Sequence, residues 1–234
     1  MCGRKYSTVT DEELAMRYLN KKRSWPWPVA TKTPDFGPNY NFCPTQYGPA
    51  LNVREGNIGL RRMRWGLVPS WAKSIKDADK YSLINARGEE ITEKRSFKSA
   101  YQKRRCIIPV SGFFEWKRIG TKKRPFAVHL KDRNIMSLAG LWEEWVNKET
   151  GEVIESYAIV TTQANSYMEK IHNRMPVILA EEDEVCWLDP AVNDPKQVAG
   201  FLRPCPSSRL AAAEVSTLVN SPKNNSPDIL NPIA

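Results

Sequence analysis

Cys2 stands directly behind the initiator Met1, and so small a second residue permits that methionine to be removed. The trimmed chain would begin with a 1,2-aminothiol. Its α-amine has a reference pKa of about 7.7–8.0 and is partly neutral at pH 7, while the thiol beside it, at about 8.5, is partly thiolate. Against an aldehyde the amine can form an imine and the sulfur can close a five-membered thiazolidine, which neither an internal cysteine nor a lysine can do. A chain that kept Met1 would hold the same nitrogen in a peptide bond, closed to imine formation. Taken alone, Cys2 also reads as an early residue of no consequence.

Glu115 lies in SGFFEWK, among Phe113, Phe114 and Trp116. A carboxyl desolvated by those rings could move protons near neutrality. If the segment is a strand, Glu115 shares a face with Phe113 and Lys117, and an ordinary exposed glutamate beside Lys117 is an equal reading. His172, in IHNRMP, follows the inward face of a short helix and precedes Arg174 and Pro176. Its titration range suits a general acid, although a histidine at a helix end is more often structural. Basic residues cluster at Arg61, Arg62 and Arg64, at Lys103, Arg104 and Arg105, and at Lys117, Arg118, Lys122, Lys123 and Arg124, with Trp65, Trp71 and Trp116 interleaved. Cations beside aromatic platforms suit single-stranded nucleic acid, whose phosphates and bases they engage together, whereas most such runs are solvated faces.

The elements that must carry these residues can be read from pattern. Thr10 with Glu13 forms a capping box that starts a helix with Leu14, Tyr18 and Leu19 on one face. Residues 24–50, rich in Pro, Asn and Trp, read as an ordered loop. Residues 88–101 read as a charged helix anchored by Ile91, Phe97 and Tyr101. From Cys106 onward, CIIPV, FFEWKR, PFAVHL, NIMSLAGLW and SYAIVTT read as an antiparallel meander. Helices are expected after Asn165, with Met168 and Ile171 inward, at 181–188 before Pro190, and at 195–202 opened by Pro195. The interleaving predicts one compact α+β domain over 1–234, with a peripheral tail after about 227.

The 234 residues carry 35 Lys and Arg against 26 Asp and Glu, a net +9 that favours a polyanionic partner. The longest uninterrupted apolar run is four residues, against about 20 for a membrane-spanning helix, so no membrane association is expected. MCGRKYSTVT lacks the apolar centre of a signal peptide, which places the chain in the cytoplasm or with DNA at the nucleoid. Cys2, Cys43, Cys106, Cys186 and Cys205 are scattered and odd in number. With only His129 and His172 beside them, neither a disulfide framework nor a metal site is expected, and no cofactor.

The blocks MCGR at 1–4, YNFCP at 40–44, RWGLVPSWAK at 64–73, LINARGE at 83–89, EKRSF at 93–97, RCIIPVSGFFEWK at 105–117, IVTT at 159–162, IHNRMPVIL at 171–179 and VSTLVNSPKNNSP at 215–227 occur together and in order. In this the chain resembles the SOS response-associated peptidase (SRAP) family, whose members capture abasic sites in single-stranded DNA. The resemblance implies a single α+β domain with a mainly antiparallel, barrel-like sheet, flanking helices and a basic cleft, and a monomer is expected. It implies that Cys2 bonds to C1′ of the ring-opened abasic sugar, that Asn85 holds the sugar and the N-terminus, that Glu115 shuttles protons, and that His172 assists ring opening. It further implies that Arg4, Arg87, Arg95 and Arg174 hold the DNA backbone, that Trp65 packs against bases, and that Asn41 and Thr161 line the pocket. Gly3, Pro44, Gly66 and Trp71, within the same blocks, join the DNA-contacting set. Cys43 stands where relatives commonly carry a small residue without a thiol. Two other classes remain open, an N-terminal-nucleophile peptidase that removes Met1 and a non-covalent single-strand binder.

Overall fold

The computed structural model describes residues 2–20, 23–30 and 34–233. Through them run β1 (Arg4–Ser7), α1 (Asp11–Tyr18), β2 (Asn39–Phe42), β3 (Tyr47–Arg54), β4 (Asn57–Trp65), α2 (Ile75–Asp79), β5 (Asn85–Arg87), α3 (Arg95–Lys103), β6 (Arg105–Val110), β7 (Gly112–Ile119), β8 (Lys122–Leu130), β9 (Met136–Val146), β10 (Val153–Gln163), β11 (Arg174–Pro176), α4 (Glu184–Leu188), α5 (Pro195–Ala199) and β12 (Leu210–Glu214).

Glu55 and Gly56 both take positive φ, 51° and 73°. That conformation gives the two-residue turn whose twist suits a hairpin, and β3 and β4 pair from Tyr47 opposite Arg64 to Arg54 opposite Asn57. β6 joins β3, β9 joins β6 and β10 joins β9, all antiparallel, and β10 then runs parallel to β4. Five strands thus close into a barrel of mixed direction. A second, antiparallel sheet has the order β12-β8-β7-β1-β2. The architecture is the expected single α+β domain, barrel-like and mainly antiparallel.

Alternation along the barrel strands feeds two cores. Leu51, Ile107, Ala139, Leu141 and Val160 meet Leu14 and Tyr18 of α1, Phe97 and Tyr101 of α3 and Trp187 of α4. The intervening Ala50, Cys106, Ile108, Leu138, Tyr157 and Ile159 join Cys2, Phe42, Phe113 and Val128, which seats the second sheet on the barrel. β10 is the strand along which several of the candidate residues meet. Ile159 lies opposite Asn85 and Thr161 opposite Arg87 on parallel β5, and Thr161 also faces Pro176 and Gln163 faces Arg174 on antiparallel β11.

α1 forms as its capping box predicts, with Thr10 accepting from the Glu13 amide and Glu13 accepting from the Thr10 amide. Elsewhere the observed elements differ from the expected ones. The 24–50 segment contains β2 and the start of β3, which its prolines and asparagines masked. The helix expected over 88–101 is a 3-10 turn at Gly88–Glu90 followed by α3, because the amides of Glu93 and Lys94 both return to the Glu90 carbonyl and Lys94 is extended. The strands after Cys106 do form, but β7 and β8 belong to one sheet and β6, β9 and β10 to the other. The helix after Asn165 is a single 3-10 turn, Met168–Lys170. Within the segment after about 227, Ile229 is buried, and Pro232 bridges to Val215. Among the described residues no helix is long and apolar enough to cross a membrane, and no group of His, Cys, Asp and Glu side chains is placed to hold a metal ion.

Candidate active site

β1 pairs with β7 so that Arg4 lies opposite Phe114 and Lys5 opposite Phe113. The chain entering β1 therefore runs beside Glu115. Cys2 is wholly buried, and its carbonyl accepts a 2.8 Å hydrogen bond from Asn85 Nδ2. Asn85 reaches it because β5 lies parallel to β10, which fixes the height of the side chain against the barrel. Burial, reinforced by the negative charge of Glu115, pushes the Cys2 thiol up to about 12. Met1 lies outside the described residues.

Glu115 is 2% exposed, yet it lines a cleft of about 630 Å³ together with Trp116, Arg118, Lys123, Ile171, His172 and Asn220. The two sequence candidates for proton transfer, Glu115 from β7 and His172 from the loop before β11, thus face one space. The His172 loop is tightly built. Asn165 Oδ1 accepts from the amides of Tyr167 and Met168, and the His172 amide donates to the Met168 carbonyl at 2.8 Å. His172 Nδ1 lies 3.0 Å from the Arg174 amide, which donates to it, and 3.3 Å from the Arg174 carbonyl. Trp116 Nε1 donates to Asn220 Oδ1 at 2.9 Å across the cleft wall. Asn220 escaped sequence reasoning because the last 3-10 turns meet β7 only in three dimensions.

The arginines separate into two pairs. Arg4 donates to Asn41 Oδ1 at 2.6 Å and to the Val219 carbonyl at 2.8 Å, while buried Asn41 donates onward to the carbonyls of Ser221 and Asn224. Arg174 makes a two-pronged ion pair with Glu89, at 2.7 and 2.9 Å, and donates to the Thr161 carbonyl at 2.9 Å. That guanidinium holds the Glu89 carboxyl below the usual carboxylate range. Arg4 and Arg174 therefore build the frame of the site. Arg87 and Arg95 are exposed, Arg87 3.1 Å from Glu90 and Arg95 over the Trp71 ring at 5.3 Å. Trp71 is itself 36% exposed and stands edge-on to Tyr81.

Trp65 presents no face to a base. It is 0% exposed, packed near Phe42, with Nε1 donating to the Ile84 carbonyl at 3.0 Å. Gly66 is also buried, and its φ of 117° turns the chain out of β4 where a Cβ would meet Arg64. Gly3 and Pro44 are half-buried at the strand ends, and Thr161 is wholly buried beneath Arg174. Two of the basic clusters are structural in part. Arg64 is buried against Asp79 and the Gly66 carbonyl, and Arg105 is buried against backbone carbonyls of Tyr101, Gln102 and Trp187. Cys43 is buried, donating to the Asn41 carbonyl at 3.1 Å.

A sequence profile of the SOS response associated peptidase (SRAP) family matches residues 1–222. The chain is 43% identical over 197 residues to the abasic site processing protein YoqW of Bacillus subtilis, covering 84% of this chain and 87% of that one. It is 29% identical over 262 residues to the abasic site processing protein HMCES of Xenopus tropicalis, covering 98% and 78% respectively. A crystal structure of a protein from Bacteroides thetaiotaomicron superposes over the whole of both chains with a TM-score of 0.87 at 28% identity. A profile match over nearly the entire chain, together with relatives of this similarity, establishes that the chain belongs to the SRAP family.

Proposed function

We propose that this protein processes abasic sites in DNA, binding them in single-stranded DNA and capturing them covalently through Cys2 once Met1 is removed. The observation that carries the reading is the convergence of Cys2, Asn85 and Glu115, with Glu115 and His172 lining one cleft. Relatives named as abasic site processing proteins support it.

An abasic sugar is mostly a closed hemiacetal, and opening it requires a proton to leave the C1′ hydroxyl and another to reach the ring oxygen. Glu115 and His172 can supply that pair. The free amine of Cys2 then adds to the aldehyde carbon, and loss of water leaves an iminium. The Cys2 sulfur adds to the same carbon as the thiol proton departs, and the C=N electron pair returns to nitrogen. In the resulting thiazolidine the nitrogen no longer withdraws electrons from C2′, so β-elimination and strand cleavage are suppressed. Asn85 fixes the position of the nucleophile during these steps. Exposed Arg87 and Arg95, with Arg118 and Lys123 at the cleft, supply charge for the flanking phosphates. Removal of Met1 is the peptidase-like step the reading requires, by a general aminopeptidase or by the protein itself.

Incubation with a single-stranded oligonucleotide bearing one abasic site should give a heat-stable, slowly migrating band on a denaturing gel, with the active protein one methionine lighter by intact mass. Cys2→Ala should abolish the band. Equal, stable crosslinking by that variant, or full yield from a uniformly Met1-retaining preparation, would overturn the aminothiol mechanism.

A further inference from the structure

The 3-10 turn Gly88–Glu90 carries two carboxylates, and each is bound to an arginine that the family resemblance assigns to the DNA backbone. Glu89 makes the two-pronged pair with Arg174, at 2.7 and 2.9 Å, and Glu90 lies 3.1 Å from Arg87 and 3.6 Å from Lys94. The arrangement is built on β10. Thr161 faces Arg87 of β5 on one edge and Pro176 of β11 on the other, and its carbonyl and hydroxyl oxygens accept from Arg174 at 2.9 and 3.3 Å. The turn sits down on this strand at Gly88, where a Cβ would meet Leu202 at 3.2 Å and the Thr161 carbonyl oxygen at 3.4 Å.

Arg174 has little left to offer a ligand. Its Nη1 and Nη2 close on the Glu89 carboxylate, Nη2 also serves Thr161, and Nε is buried with no hydrogen-bond partner among the described residues. The fork by which a guanidinium grips a phosphate is therefore already filled by another oxyanion. Arg87 is engaged in the same way at the surface. Both carboxyls are held below the usual carboxylate range, Glu89 by the hydrogen bond from Arg174 and Glu90 by that from Arg87, so both are ionised at neutral pH. The candidate cleft is adjacent, because the Arg174 amide donates to His172 Nδ1 and His172 lines that cleft with Glu115.

We propose that Glu89 and Glu90 are built-in phosphate surrogates, which occupy the guanidinium groups of Arg174 and Arg87 in the free protein and give way to two phosphates of a bound strand. The proposal rests on the DNA-binding reading above. No covalent bond changes: two carboxylate–guanidinium pairs are exchanged for two phosphate–guanidinium pairs, and the carboxylates pass to water. The exchange has two effects. It holds both arginines in place before DNA arrives, which lowers the cost of ordering them on binding. It also penalises phosphate in general, since a phosphate that makes no other contact must displace a carboxylate already seated, whereas a strand that enters the cleft brings further contacts that offset the displacement. Glu89 and Glu90 thus set selectivity by opposing weak binders, and touch no reacting atom.

The test uses protein whose N-terminal Cys2 is verified by intact mass, in wild-type, Glu89→Gln and Glu90→Gln forms, with Glu152→Gln as a control that removes the same charge from the exposed turn between β9 and β10. Anisotropy of a labelled intact single strand is titrated over a range of salt concentrations, and crosslinking to an abasic oligonucleotide is followed at saturating protein. Glu89→Gln and Glu90→Gln should each bind the intact strand about three- to fivefold more tightly at low salt, the scale of a partly exposed ion pair. Each should also steepen the slope of log K against log salt by up to about 0.7, one phosphate's share, while crosslinking at saturation keeps the wild-type rate. Binding no tighter than that of Glu152→Gln overturns the proposal. A loss of affinity in Glu89→Gln overturns it too, by making that carboxylate a brace for Arg174. Should Glu89→Gln fail to fold, Glu90→Gln decides, since the Glu90 side chain is 39% exposed. Wild-type crosslinking with unaltered binding in both variants rejects the exchange and leaves capture standing, whereas tighter binding in the variants with no crosslinked band in any form rejects covalent capture and leaves the exchange standing.

Discussion

Asn85 grips Cys2 by its carbonyl, Nδ2 donating at 2.8 Å, while the Oδ1 of the same side chain is buried with no hydrogen-bond partner among the described residues. A dry, unanswered acceptor costs stability, and here it lies beside the proposed nucleophile, where a sugar hydroxyl or the ammonium of a free N-terminus would satisfy it. Asn85→Ala should slow single-turnover crosslinking by about 10–100-fold, the typical effect of a loosened reactant, with little change in affinity for intact DNA. Asn85→Asp should be worse, since a carboxylate oxygen would face the Cys2 carbonyl. Wild-type rates in both would remove Asn85 from the site.

Glu115→Gln keeps the shape of the side chain and removes its proton chemistry. Crosslink formation should slow by about 100-fold or more, while single-strand affinity measured by anisotropy stays within twofold. A matching loss of affinity would instead make Glu115 a binding residue.

The two classes of arginine should respond differently to salt. Each phosphate engaged on a single strand contributes a slope of about −0.7 in log K against log salt, so Arg87→Ala and Arg95→Ala should each make the slope shallower by roughly that amount. Arg174→Ala should also release Glu89 and Thr161, lowering the melting temperature as well as the affinity. Identical slopes in all variants would leave the +9 net charge a matter of solubility.

Asn41 is bonded on both ends of its amide, to Arg4 and to three carbonyls between Val219 and Asn224. Asn41→Ala should destabilise the protein by about 2–4 kcal/mol, as expected when a buried hydrogen-bonded network is broken. Urea unfolding measures it, and a loss below about 0.5 kcal/mol would show the network to be dispensable.

Lys5, which β1 buries among the rings of Phe42, Trp65 and Tyr157, predicts a pH dependence of stability. Its ammonium titrates near 7 when folded, against 10.5 unfolded, so between those values the unfolded chain holds a proton that the folded chain lacks, and stability rises with pH. Cys2 acts oppositely above about 9, where the unfolded thiol ionises and the folded one stays protonated up to about 12. Between about 7 and 9 the Lys5 effect stands apart. Lys5→Met should be more stable than wild type at pH 7 in urea, and its advantage should shrink toward pH 9. A constant difference across that range would mean that Lys5 titrates as an ordinary lysine.

Local chemistry was legible in the sequence wherever it is decided locally. Thr10 and Glu13 announce α1 because the capping box lies within one turn. The strands after Cys106 announce themselves by β-branched and aromatic runs, and Cys2, Glu115 and His172 by residue type and family blocks. Partners were not legible. Pro49 disguised β3, and is tolerated because β6 joins that strand only at Leu51 and Asn52. Trp65 read as a base-stacking platform, yet its strand turns it into the core, and only the sheet packing reveals which side is wet. Lys5 and Asn220 escaped for the same reason: a lysine in MCGRKYS looks exposed until β2, β4 and β10 are assembled around it.

The hydrogen bond from Arg4 to the Val219 carbonyl spans 215 positions of sequence. A ribosome making residues one at a time produces β1, which follows the proposed nucleophile, first and the segment that clamps it almost last, so Arg4 cannot be locked until synthesis has passed Val219. On the proposed reading, trimming of Met1 during translation would precede the assembly of the frame that holds β1, and the aminothiol would be formed before it is armed.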